Sequence, residues 1–117
     1  MTHDPIPVQG VIFPTDRDVP VSAGTIDGSA GGVETLINGQ SEAVMLGETG
    51  PVLFVDAYGL SKKLPPNPRA TRFADGYQTG YANRNMLMGT TVVIGLDPQT
   101  SARASVSAAD VEAAVRA

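Results

Sequence analysis

The chain has 117 residues, enough for one domain, and Val, Ile, Leu and Phe make up 24% of it, a lean core but above the level at which disorder is expected. It contains no cysteine and one histidine, His3, which excludes disulfides and thiolate metal sites and argues against a Ser-His-Asp triad. Net charge is −4, too mild for a nucleic-acid mimic, and no apolar run approaches the roughly 18 residues of a membrane span. A cytoplasmic protein with no signal peptide is expected.

Residues 1–7 carry two prolines and read as a flexible lead-in, so the expected domain is 8–117. Residues 8–13 form a strand candidate, stopped by Pro14 and the polar turn at 15–18. Val19, Val21 and Ala23 alternate with Pro20 and Ser22, a short strand that its proline confines to an edge or an end. Val33, Leu36 and Ile37 predict a helix over about 29–38, capped by Asp27 or Ser29 and ended at Asn38-Gly39.

Two apolar runs, 42–46 and 51–56, flank a connection bounded by Gly47 and Gly50, which is the best hairpin signal in the chain. Pro65, Pro66 and Pro68 force an extended or turning segment, and Asn67 can cap a helix with Pro68 at its first position, closing at Asp75-Gly76. Residues 76–85 look like an irregular polar loop. The β-branched run at 90–95 predicts a buried strand, which residues 86–88 could extend backward. Ser107 and Asp110 resemble a capping box opening a helix to about 116. The sum is an α+β domain with a small, mainly antiparallel sheet of about five strands and two or three short helices.

Charge is unevenly spread. Residues 1–56 hold eight acids and a single base, Arg17, whereas residues 57–96 hold Lys62, Lys63, Arg69, Arg72 and Arg84 against Asp75 alone. Such asymmetry can collect anions even on an acidic protein. The plainer alternative is that these cations pair with the acidic first half after folding.

The stretch from Pro51 to Thr71 resembles a family of small proteins of actinobacteria and their phages that has no assigned function. The resemblance is carried by Gly59, Leu64-Pro65, Asn67, Ala70-Thr71 and Gly89-Thr90-Thr91-Val92-Val93, and it covers roughly residues 8–98. Residues 56–59 and the longer 76–85 segment depart from the family pattern. The resemblance implies a phage-type accessory factor, acting in the host cytoplasm, that engages a host protein.

Two motifs carry candidate chemistry. In the first, Asn67, Arg69, Thr71 and Arg72 sit at a helix start with Lys62 and Lys63 upstream. Helix N-termini supply free N–H groups, and arginine supplies a planar fork for phosphate or carboxylate. In the second, Tyr77, Tyr81, Asn83 and Arg84 combine the residue types that most often anchor interfaces. Glycines at 28, 31 and 32 precede a helix but lack the ending of a phosphate-binding loop.

No pair of carboxylates has a spacing for acid/base work, and no catalytic residue, metal site or cofactor is expected. The expected function is therefore a non-catalytic binding protein that uses the surface over 62–84. The alternative is a nucleotide or nucleic-acid binder using the same cations on an anionic ligand. The third reading is an enzyme of a class that the residues do not name. The possible strand edges leave room for a dimer.

Overall fold

The computed structural model describes residues 4–47, 50–77 and 86–117. Seven residues, whose burial alternates as far as Gly10, form β1, Pro7–Phe13, and the chain returns as β2, Ser22–Asp27. Helix α1, Ala30–Ile37, follows, with the Ser29 hydroxyl accepting from the Gly32 N–H and Asn38 ending it in the left-handed conformation. A hairpin of β3, Ser41–Met45, and β4, Val52–Asp56, comes next, and then α2, Pro68–Asp75. The chain ends with β5, Thr91–Leu96, the two-residue β6, Arg103–Ala104, and α3, Ala108–Arg116.

These elements make an α+β fold with one sheet in the order β2-β1-β5-β4-β3, in which every pairing is antiparallel. β6 pairs with the far end of β5. β5 is thus the central strand although it is the fifth in sequence. Both of its faces are covered, which is why β4 and β5 are buried almost throughout rather than alternating.

On one face Val11, Phe13, Leu53, Val55 and Val93 pack against Phe73 and Ala70 of α2 and Ala114 of α3. On the other, Val8, Val52, Phe54, Val92 and Ile94 pack against Val33 and Ile37 of α1. Arg103 closes this second layer, its guanidinium 4.7 Å from the centre of the Phe54 ring and 2.9 Å from the Gly28 carbonyl. Among the described residues, no helix is long and apolar enough to cross a membrane.

Most expected elements stand where the pattern placed them. The second strand is the exception: it lies at 22–27 rather than 19–23, because Val19 donates back to Asp16 in a turn and pairing with β1 begins only at Ser22. Residues 86–88 do not extend β5 either; Met88 bridges to Pro66 instead.

Leu53 is fully buried in the centre of the larger core. Leu53→Ala is expected to lower unfolding free energy by about 3 kcal/mol, read from the urea midpoint at unchanged m-value.

Candidate functional site

The site is built around the N-terminus of α2. The three prolines at 65, 66 and 68 hold the approach extended and place Asn67 at the cap. Asn67 is 0% exposed, and its amide does three things at once. Its Oδ1 accepts from the Ala70 N–H at 3.2 Å, and its Nδ2 donates to the carbonyls of Phe13 at 2.8 Å and Gly89 at 3.0 Å.

Thr71, 1% exposed, completes this knot. Its hydroxyl lies 2.9 Å from the Asn67 carbonyl and accepts from the Leu87 N–H at 3.0 Å. Asn67 and Thr71 therefore leave the candidate surface. They are internal fastenings, with no exposed atom for a ligand.

Arg69, one residue after Pro68, reaches across to the loop that follows β1. Its Nη2 donates to the carbonyls of Pro14 at 2.9 Å and Asp16 at 3.0 Å. Arg72, three positions on and on the same side of the helix, is exposed. Thr15 and Arg17 of the clamped loop complete a concavity of about 380 Å³ with Pro68, Arg69 and Arg72. The neighbouring Asp16 carboxylate is turned into its own loop, accepting from the Asp18 N–H at 2.9 Å.

Among the described residues neither Arg17 nor Arg72 has a carboxylate partner. The helix end itself offers little. Pro68 has no N–H, and that of Ala70 is capped by Asn67. The attraction for an anion comes from the guanidinium groups.

The remaining sequence candidates are placed elsewhere. Lys62 is bound 2.7 Å from the carboxylate of Asp56, which is 5% exposed and also accepts from the Tyr58 N–H at 2.8 Å. The ammonium and that N–H hold the Asp56 carboxyl below the usual carboxylate range, outweighing its burial. Lys63 is exposed, in a left-handed turn with φ 58°.

Tyr77 is turned inward. Its ring stands edge-on to Phe73 at 5.5 Å, and its hydroxyl donates to Asp110 of α3. Burial, reinforced by that carboxylate, raises the phenol above its ordinary value. Tyr81, Asn83 and Arg84 lie outside the described residues.

The glycine-rich entry to α1 is closed to phosphate. The N–H groups of Gly28, Ser29 and Gly32 go to Ile6, Asp27 and Ser29, and the Asp27 carboxylate occupies the space. Among the described residues no three of His, Asp and Glu come together as metal ligands do.

Arg17 and Thr15 line the arginine concavity without standing among the sequence candidates, although Arg17 is the single base of the first 56 residues. That isolation was the available signal. No protein-family model matches the chain, and neither curated proteins nor solved structures give a significant match.

Asn67→Ala is expected to cost about 2–4 kcal/mol, since it removes a cap and two hydrogen bonds to buried carbonyls, leaving that of Gly89 with the longer 3.3 Å contact from the Thr91 hydroxyl, as measured by urea unfolding. Two pH dependences follow. The Asp56–Lys62 contribution is full above about pH 4 and lost as pH falls through the depressed folded value; Lys62→Met flattens this acid limb. Tyr77 acts at the other end: its contribution is full below about pH 10 and fades as pH rises further. Tyr77→Phe removes this alkaline loss, read as melting midpoint against pH.

Proposed function

We propose that this chain is a non-catalytic binding protein and that the cleft of Thr15, Arg17, Arg69 and Arg72 takes a phosphate-bearing small molecule, a nucleotide being the nearest class. The observation that carries the reading is the convergence of three arginines from two separate segments on one concavity, two of them without a carboxylate partner among the described residues. A volume of about 380 Å³ lies at the small end of the range for ligand pockets. The carbonyl contacts of Arg69 hold its guanidinium in place before a ligand arrives, so little side-chain entropy is lost on binding. Arg17 and Arg72 close on the anion from either side as bidentate donors.

A second reading gives the same end of the molecule a protein partner, as the resemblance to phage accessory proteins implies. β1 and β4 both pair antiparallel with β5, so they run parallel and finish at one end of the sheet. That end carries the arginine cleft and also the turn after β4, where Tyr58 is 53% and Leu60 71% exposed beside Lys63. An aromatic and an aliphatic anchor next to cations suit an acidic segment of a host protein.

Thermal melts against inorganic phosphate, pyrophosphate and a nucleotide panel separate the two. The first reading expects a saturable rise of about 5–10 °C at ligand near one hundred times Kd, and it expects Arg17→Gln with Arg72→Gln to abolish the rise without lowering the unliganded midpoint. No shift, or a shift that the double variant retains, sinks it. The second expects capture from a host lysate that Leu60→Asp abolishes while melting is unchanged.

A further inference from the structure

We propose that the β2 edge of the sheet is a self-association surface, pairing antiparallel with β2 of a second copy about a two-fold axis through Gly24. The argument starts from which backbone groups face outward. The Gly28 N–H donates to the Ile6 carbonyl at 2.7 Å, and the β1–β2 register pairs Val8 with Ile26, Gly10 with Gly24 and Ile12 with Ser22. Alternation along an antiparallel ladder then directs the polar groups of Ser22, Gly24 and Ile26 at β1. The Gln9 carbonyl, which takes the Val106 N–H on the side of β1 away from β2, has the same phase. The N–H and C=O groups of Ala23 and Thr25 therefore point out of the sheet, and among the described residues nothing covers them.

Edges are normally protected by charge, proline or a cap. The opposite edge is so protected: the outward Ser41 N–H of β3 is taken by the Glu34 carboxylate at 3.2 Å, and Glu42 sets a charge in the strand. The outward stretch of β2 has neither device: Ser22, Ala23, Gly24, Thr25 and Ile26 are uncharged and contain no proline, and the one charge of the strand, Asp27 at its end, has its carboxylate held by the Ile6 and Ser29 N–H groups.

The central residue points to a second backbone. Gly10 must be glycine, because a Cβ there would lie 2.4 Å from Ile26 Cδ1. A Cβ at Gly24, its direct partner, would meet nothing within 4 Å. A mid-strand glycine weakens a strand by about 0.5–1 kcal/mol, and the packing within one copy does not call for it. A glycine inside a strand is commonly found at a bulge, a tight bend or a close approach of a ligand or another backbone, and the regular β1–β2 register leaves no bulge at Gly24.

With the axis through Gly24, Ala23 of each copy pairs with Thr25 of the other and four N–H···O=C bonds form. The two glycines make the close, non-hydrogen-bonded pair between them. This register keeps inward and outward faces matched across the join. It also sets Ile26 opposite Ser22 of the second copy. The apolar groove between β2 and α1, about 340 Å³ and lined by Ile26, Gly32 and Leu36 among others, is continuous with the seam.

A second copy fits better than a charged peptide. The stretch from Ser22 to Ile26 carries no charge, and the register about Gly24 sets Asp27 opposite Val21 of the second copy, not opposite its own image, so two chains of net charge −4 meet along an uncharged stretch.

The test is sedimentation of the full chain from micromolar to millimolar concentration. Wild type is expected at twice the chain mass at the upper end. Gly24→Glu and Gly24→Lys each place like charges directly opposite across the axis and should raise the dimer Kd about tenfold or more. Both should keep the wild-type circular dichroism, because the added side chain has open space. Their equimolar mixture pairs unlike charges and should dimerise again. A wild type that stays monomeric, a dimer that both variants leave intact, or a mixture that fails to reassociate overturns the proposal.

Discussion

One buried amide joins three parts of the chain that are far apart in sequence. Asn67 holds the last carbonyl of β1, the carbonyl of Gly89 just before β5, and the first turn of α2. Because β5 is the central strand, the point where it enters the sheet decides whether β1 and β4 can flank it. The amide fixes that point relative to both β1 and the helix. Thr71 adds the Leu87 N–H to the same knot. In a buried setting each of these bonds matters mainly through what its absence would leave unpaired. The arginine cleft inherits this rigidity, since Arg69 can reach Pro14 and Asp16 only if α2 starts where Asn67 sets it.

The cations of the middle segment divide by what the fold asks of them. Lys62 neutralises a buried carboxylate, and Arg69 fastens a loop through carbonyl groups. Arg103, from the last third of the chain, lies over an aromatic ring in the core. A buried ion pair contributes little net stability, but removing one partner leaves the other charge stranded. Pairing with the acidic half, the plain account of the charge asymmetry, therefore holds for Lys62. Among the described residues it does not hold for Arg72, nor for Arg17, which comes from the acidic half itself and joins the cations instead of offsetting them. Charge counted along the chain finds the cationic segment, and only folding shows which of its members are spent.

Local signals were legible and nonlocal ones were not. The β3–β4 hairpin, the cap at Asn67 before Pro68, the left-handed stop at Asn38 and the Ser107–Asp110 capping box each involve residues within a few positions of one another. Turn and cap chemistry depends on such short spacing, so it can be read directly. β6 has only two residues, and its existence depends on β5 reaching past β1. Nothing in Arg103-Ala104 announces that. Tyr77 illustrates the same limit for the site. As a residue type it suited an interface, but one helical turn from Phe73 and opposite Asp110 it has a better partner inside. The cap at Asn67 is legible from Pro68 beside it, while its second role, donating to two distant carbonyls, has no sequence signature.

The cleft and the β2 edge share one connection. The loop carrying Thr15 and Arg17 leaves β1 at Phe13, where Asn67 grips the carbonyl, and ends where β2 begins at Ser22. One end of the loop is thus anchored in the core and the other in an edge strand whose one strand partner among the described residues is β1. An antiparallel partner across Gly24 would hold that strand from its free side. Because the pairing is antiparallel, the loop of each copy then lies toward the far end of the other copy's strand. The two loops, and the clefts they line, would thus lie at opposite ends of the joined strands.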